Sequence, residues 1–235
     1  GEEQFADAMT RIRPQVEAIA NGEHGQTTEF ELKTVLGFLH FREACIDAAC
    51  VEVGLGGRLD ATNVVDPAST VITNIGLDHT ETLGDTLAQI AYEKAGIVKR
   101  EVPVVTATAE TEPLRVIREV AASSGAPVLL VRRGAEADAQ VRVVDENDRF
   151  SLRTPAGEYA HLICGMRGSH QRLNAACAVA AVEVAAPSLG LRVATDAVRE
   201  GLASAHMPGR FEVVRTRPTV VLDGAHNSMA ARSVA

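Results

Sequence analysis

Apolar positions along the chain fall into two periods. At Leu32, Val35, Leu36 and Leu39 the spacing runs 0, 3, 4, 7, one face of a helix, and Leu173, Ala176, Cys177, Ala180, Ala181 and Val184 repeat it. Two amphipathic helices are predicted there. Between them stand short β-branched runs bounded by turn residues: Ala49–Val53 before Gly54, Thr70–Ile75 before Gly76, Pro103–Thr106, and Pro127–Val131 after Gly125. Each reads as a strand. Helical stretches at Thr86–Ala95 and Thr111–Ala122 separate them, and this alternation predicts a parallel sheet with helices on its faces. From Val141 to Ile163 the pattern shifts to runs at Val141–Val144, Phe150–Arg153 and Tyr159–Ile163, divided by Asp145-Glu146-Asn147-Asp148 and Pro155-Ala156-Gly157. That is the pattern of an antiparallel meander. A shorter helix is predicted at Thr195–Ser204, then a connector, His206-Met207-Pro208-Gly209, where a domain boundary fits. The expected division is 1–206 and the start of a second domain at 207–235, with new strands at Phe211–Arg215 and Thr219–Leu222.

Composition narrows the class. With 46% hydrophobic and 23% charged residues the 235-residue chain reads as globular, and six Phe, two Tyr and no Trp require an aliphatic core. Its 31 acidic residues against 23 Lys and Arg give a net charge of −8 with no dense basic run, which argues against nucleic acid as a partner. The longest strictly apolar run, Ala175–Val182, falls far short of the roughly 20 residues a bilayer core requires, so no membrane partner is expected. Gly1-Glu2-Glu3-Gln4 has neither the basic start nor the apolar stretch of a signal peptide. Cys45, Cys50, Cys164 and Cys177 show no C-x-x-C pairing and read as reduced, mostly buried thiols of a cytoplasmic protein.

Three places could carry chemistry. Glu52 ends a predicted strand and is followed by the glycine-rich stretch Gly54-Leu55-Gly56-Gly57, where backbone can approach a ligand. The bland reading is a connector with a solvated glutamate. Asp78-His79 follows the strand at Thr70–Ile75 and is expected at the same sheet edge, where Glu52 and His79 could share a divalent cation; a solvent-exposed loop histidine is the alternative. Lys94 continues the Leu87, Ile90, Ala91 face and is expected to point inward, where desolvation favours a neutral amine that carbon dioxide can convert to a carbamate. A lysine snorkelling along the helix edge is the competing reading. No G-x-x-x-x-G-K-[ST] phosphate loop occurs in these residues.

Five blocks, in order, carry a family pattern: Glu52–Asn63 (EVGLGGRLDATN), Asp78–Ile97 (DHTETLGDTLAQIAYEKAGI), His170–Ala175 (HQRLNA), Pro208–Arg210 (PGR) and Leu222–Asn227 (LDGAHN), with Thr28-Glu29-Phe30-Glu31 as a T-x-F-E element. The sequence resembles the bifunctional dihydrofolate synthase/folylpolyglutamate synthase family of the Mur ligase superfamily, nearly end to end. The resemblance implies an α/β fold: a mostly parallel sheet flanked by helices, as in the Mur ligase central domain, with an antiparallel meander and the start of a second, Rossmann-like domain. It implies ATP-dependent joining of L-glutamate to dihydropteroate or a reduced folate through an acyl phosphate, by a cytoplasmic monomer. By the same matching, Glu52, His79 and a carbamylated Lys94 are the ligands of two Mg2+ ions. Gln171, Asn174, Arg210 and Asp223 are ATP contacts, Arg210 on phosphate and Asp223 at the ribose or hinge. Thr28, Glu29, Phe30 and Glu31, with Leu59, Asp60 and Ala61, are pteroate-binding elements, and His226 stands near the incoming glutamate.

Plainer roles stay open. Gln171 and Asn174 could hydrogen-bond the start of the long helix, Arg210 could be a surface linker residue, and Asn227 could cap a helix after a strand-to-helix turn. The family's G-T-x-G-K-G-S phosphate loop and most of its C-terminal domain have no counterpart here, so Gly1 and Ala235 read as cut ends and the 235 residues alone are expected to lack ligase activity. Two other functions compete: an inactive relative serving as a binding module, and a Mur ligase acting on peptidoglycan precursors, against which the Glu52–Asn63 block argues.

Overall fold

The computed structural model describes all residues except 24, 135, 137, 228, 229 and 233–235. The chain divides into two units, Gly1–Val65 and Asp66–Ala235. The first contains helices α1 (Glu2–Ala20) and α2 (Glu29–Glu43), and a 3-10 turn at Ala61–Val64. Helix α2 begins where Thr28 and Glu31 close a reciprocal capping box: Glu31 N–H donates to Thr28 Oγ1 (3.2 Å) and Thr28 N–H to Glu31 Oε2 (2.7 Å). Of its predicted apolar face only Leu36 is buried, while Val35 stays exposed. α1 packs on α2, with an ion pair from Arg11 to Glu43 at 2.5 Å.

Ala49–Val53 corrects the expectation of a strand. It is irregular backbone, because a strand exists only with a partner in register and none of the described residues of this unit supplies one. Cys45 and Cys50 are exposed, contrary to the expected burial; only Cys177 lies in a core, where burial pushes its thiol up to about 12 and leaves it inert as a nucleophile. All four cysteines are free.

In the second unit a six-stranded sheet runs in sequence order: β1 (Thr70–Ile72), β2 (Val104–Thr106), β3 (Val128–Arg133), β4 (Val141–Glu146), β5 (Arg149–Thr154) and β6 (Gly157–Leu162). β1 to β4 are parallel and β4 to β6 antiparallel, so the meander is continuous with the parallel sheet through β4. The turn from β4 to β5 needs only Asn147 and Asp148, with Asn147 at φ 51°, a left-handed conformation that Asn tolerates.

Helices cover both faces of the sheet. α4 (Leu87–Ala95) and α5 (Thr111–Ser123) close one core with Ile72, Ile75, Ile90, Val104 and Ile117. α6 (Ser169–Ala185) closes the other with Val105, Val131, Val143, Phe150 and Leu152. Val104 and Val105 are adjacent, both fully buried, and belong to opposite cores, as the period of two along a strand buried on both faces demands. Beyond α7 (Thr195–Ser204), β7 (Glu212–Thr216) and β8 (Thr219–Leu222) pair antiparallel as a separate sheet. Among the described residues no helix is long and apolar enough to cross a membrane.

Candidate active site

In the first unit, two of the predicted blocks meet. A Cβ added at Gly54 would fall inside the Phe30 ring, so glycine is what lets the start of α2 lie against the 54–57 loop. The loop is closed by Asp60. Its Oδ2 accepts from the N–H groups of Gly54 (3.1 Å) and Leu55 (2.9 Å), and its Oδ1 from the N–H (2.9 Å) and hydroxyl (2.5 Å) of Thr62. Burial pushes the Asp60 carboxyl up, but these donors, Thr62 foremost, outweigh it and hold the group below the usual carboxylate range. Asp60 is thus the clasp of its own loop, flanked by the strongly exposed Leu59 and the half-buried Ala61. Thr28 and Glu31 are engaged in the helix cap, and Glu29 pairs with Lys33 at 2.5 Å; of the T-x-F-E element, Phe30 is the residue that reaches the loop. Glu52 is exposed.

In the second unit, the chain leaves the carboxyl end of β1, is pinned by the buried Ile75, and reaches Asp78 and His79. His79 adopts φ 49° at the start of α3 (Thr80–Leu83), where its carbonyl accepts from Thr82 N–H (3.0 Å) and Leu83 N–H (2.9 Å). Asp78 Oδ1 accepts from His79 N–H at 2.9 Å, and Asp78 Oδ2 from Asn227 Nδ2 at 2.8 Å, across 149 positions of sequence. The Asn227 bond, opposed by partial burial and aided by His79 N–H and the nearby imidazoles of His79 and His226, keeps the Asp78 carboxyl below its ordinary range. Asn227 Oδ1 also accepts from Ala230 N–H at 2.8 Å, so it caps the following turn as expected.

The two C-terminal blocks are tied to each other as well. Gly224 N–H donates to the Gly209 carbonyl at 2.8 Å, and Asp223 accepts from Phe211 N–H through Oδ2 and from Ala225 N–H through Oδ1, both at 2.7 Å. The Arg210 guanidinium lies over Gly224, where an added Cβ would stand 2.9 Å from its Nη1. Arg210 is exposed and makes no ion pair among the described residues. His226 Nδ1 lies 2.8 Å from the Gly224 carbonyl. A carbonyl only accepts, so Nδ1 carries the hydrogen and Nε2 is the free basic nitrogen of the neutral ring.

The predicted ligands and nucleotide contacts are placed unequally. His79 is exposed at the start of α3, and α3 packs against α4, which carries Lys94 in its last turn. Lys94, in the last turn of α4, is half-buried rather than enclosed; Ala95 is the fully buried residue of that turn. Glu52 belongs to the first unit, His79 and Lys94 to the second. Gln171 is buried and its Oε1 accepts from Asn174 Nδ2 at 3.0 Å, so this pair does hydrogen-bond within the start of α6; it shares no hydrogen bond with the Asp78–Asn227 network among the described residues. A cleft of about 670 Å³ beside α5 and one of about 470 Å³ at the start of α6 are lined by none of the predicted residues. The sequence reading did not pair Asp78 with Asn227; the signal available was that each lies in one of the family blocks, beside His79 and His226.

Among the described residues no three His, Cys, Asp or Glu side chains gather into a metal cage. Magnesium usually keeps several waters and takes one or two carboxylates together with substrate phosphates. The exposed imidazole of His79 is open to such an ion, and so, taken by itself in the first unit, is the exposed carboxylate of Glu52.

Comparison with known proteins bears on the family and the fold. The chain is 41% identical to the dihydrofolate synthase/folylpolyglutamate synthase of Bacillus subtilis, over 100% of this chain and 54% of that protein. It superposes on the Mycobacterium tuberculosis folylpolyglutamate synthase complexed with ADP at a TM-score of 0.89 and 33% identity, covering 99% of this chain and 52% of that one. An FPGS–AMPPCP–folate complex gives 0.88 at 32%, covering 97% and 56%; the same comparison includes the apo form of L. casei FPGS. The chain spans about half the length of these relatives. The Mur ligase middle domain matches residues 4–182, and with the sheet, helices and site blocks in place, this chain belongs to the Mur ligase middle-domain family.

Proposed function

We propose that this chain forms the nucleotide-handling part of an enzyme that uses ATP to join L-glutamate to dihydropteroate or a reduced folate. The observation that carries the reading is the network beyond β1, in which the Asp78–Asn227 bond ties the loop bearing His79 to the segment bearing His226 and, through Gly224, Arg210. Relatives bearing the folylpolyglutamate synthase name, in complexes with ADP or with AMPPCP and folate, support the substrate class.

In the proposed reaction a carboxylate oxygen of the pteroate or folate attacks the γ-phosphorus of ATP, the bond to ADP breaks, and an acyl phosphate forms. The amino nitrogen of L-glutamate then attacks the acyl carbon; the amide forms, phosphate leaves with the carboxylate oxygen, and the amine gives up a proton. Arg210, cationic and without an ion pair among the described residues, binds phosphate. Asp223 keeps lone pairs beyond its two backbone donors for the ribose, and Gln171 with Asn174 offers amide groups to the nucleotide. His226 Nε2 receives the amine proton. The Phe30–Gly54 contact, with exposed Leu59 beside the Asp60 clasp and Ala61, supports pteroate binding by the two first-unit elements. Glu52, His79 and Lys94 as a carbamate would hold two magnesium ions, which when bound offset the negative charge between triphosphate and carboxylate. That β7 and β8 form a sheet of their own supports the start of a further domain near 207. The lack of a phosphate loop within these residues supports a lack of turnover by the 235 residues alone.

The test is ATP-dependent transfer of labelled L-glutamate to dihydropteroate or tetrahydrofolate by the complete gene product containing this chain. Glutamyl product is expected with magnesium, and Glu52→Ala should abolish it with the thermal midpoint unchanged. Product formed only on a peptidoglycan precursor would overturn the reading, and undiminished turnover by Glu52→Ala would overturn the metal assignment.

A further inference from the structure

We infer that Asp78 and Asn227 are a pair of positioning residues: their hydrogen bond sets the loop that presents His79 against the segment that presents His226. The inference rests on the ligase reading given above. It stands on how completely each atom of the pair is committed. Asp78 Oδ1 holds the His79 N–H at 2.9 Å, leaving Oδ2 to accept from Asn227 at 2.8 Å. Asn227 Oδ1 holds Ala230 N–H at 2.8 Å, and its carbonyl holds Ala231 N–H at 2.9 Å, which forces Nδ2 toward Asp78. Neither side chain can turn without breaking a second bond. The orientation is therefore fixed by chemistry: position 227 must donate and position 78 must accept.

What the joint orders is a costly backbone. His79 sits at φ 49°, which non-glycine residues adopt only when surroundings impose it. Its carbonyl caps α3 and its N–H is held by Asp78, so the direction of its imidazole depends on the same carboxylate that Asn227 grips. On the other side, Asn227 directly follows His226, whose ring is turned by the Gly224 carbonyl. One hydrogen bond thus sets two imidazoles that stand 147 positions apart in sequence, in a reaction that needs one at the phosphate end and the other at the amine end.

The pairing rule supplies its own test. Asn227→Asp keeps a good helix cap but sets a carboxylate against Asp78. The reciprocal double variant Asp78→Asn/Asn227→Asp restores every bond: Asn at 78 accepts the His79 N–H through its oxygen and donates to Asp at 227 through its amide. In the complete gene product, assayed well below its thermal midpoint, Asn227→Asp should lower kcat by on the order of tenfold to a hundredfold with the KM for ATP moving by less than about twofold. The double variant should recover most of that loss. Hydrogen exchange at Thr82 and Leu83 should quicken in Asn227→Asp and slow again in the double variant. An unchanged kcat in Asn227→Asp, or a loss that the double variant does not recover, overturns the inference. Absence of glutamate ligation in the unaltered protein overturns the functional reading instead, and hydrogen exchange then decides the joint: no quickening in Asn227→Asp removes it.

Discussion

Asp60 and Asp78 are both half-buried carboxylates held below their usual range by hydrogen bonds, yet they organise the protein at opposite scales. Gly54, Leu55 and Thr62, the donors to Asp60, all lie within six positions of it, so the 54–62 loop closes on itself. Asp78 takes one donor from the next residue and one from 149 positions away. A clasp of the first kind needs only its own segment to fold, whereas a joint of the second kind exists only when the sheet and its helices have already brought two distant blocks together. The local clasp closes one loop, and the long joint ties together two segments 149 positions apart.

Breaking a core should separate the two most sharply. Ile117, fully buried between α5 and the sheet, is predicted to cost roughly 2–5 kcal/mol as Ile117→Ala, measured by urea unfolding. Hydrogen exchange should then rise at Thr82 and Leu83 beside Asp78 more than at Leu55 and Thr62. Equal rises would mean that the Asp60 loop depends on the core as well.

Asp60→Ala should cost roughly 2–4 kcal/mol in the first unit, since it strands backbone donors of Gly54, Leu55 and Thr62 that now meet a charged acceptor. The same group predicts a pH effect. Its folded pKa lies below its unfolded value, so its stabilisation is complete above the ordinary carboxylate pKa near 4 and is lost as pH falls through the lower folded value. Acid unfolding of Asp60→Asn should lack that component; an identical acid profile would contradict the clasp.

Gly54→Ala should cost about 1–3 kcal/mol because its methyl would enter the Phe30 ring, and adding Phe30→Ala should return part of the loss. Strict additivity in that double-mutant cycle would show that the ring and the loop do not meet. The smallest effect belongs to Tyr159, whose hydroxyl donates to Glu183 at 2.6 Å and ties β6 to α6. Tyr159→Phe is expected to cost about 1 kcal/mol by thermal unfolding. Burial, then the Glu183 bond, pushes the Tyr159 phenol up to about 12, so stability present below pH 10 should fall between pH 10 and 12 and do so less in Tyr159→Phe.

The same contrast governs what could be read from the sequence. The helical face carrying Leu87, Ile90 and Ala91 and the β-branched run at Pro103–Thr106 are local patterns, and the predicted elements of the second unit stand where such patterns placed them, β1 ending at Ile72 rather than Ile75. Ala49–Val53 has the residues of a strand but no pairing strand among the described residues of its unit, and a strand is not a property of its own residues. Helix α1 carried no predicted face, and none of its residues is buried. At the site, Lys94 follows the periodicity of α4, yet the enclosure expected of it is only partial. The Asp78–Asn227 pair lay beyond any spacing rule, because only the tertiary fold sets that separation.

The most direct test of the account follows the oxygen that the proposed reaction must move. Dihydropteroate or tetrahydrofolate labelled with 18O in the reacting carboxylate, given with ATP, magnesium and L-glutamate to the complete gene product, should release one labelled oxygen into inorganic phosphate for each glutamate joined, with ADP formed in equal amount. Glutamate joined with no 18O in the phosphate, the lost carboxylate oxygen going to water instead, would contradict the account.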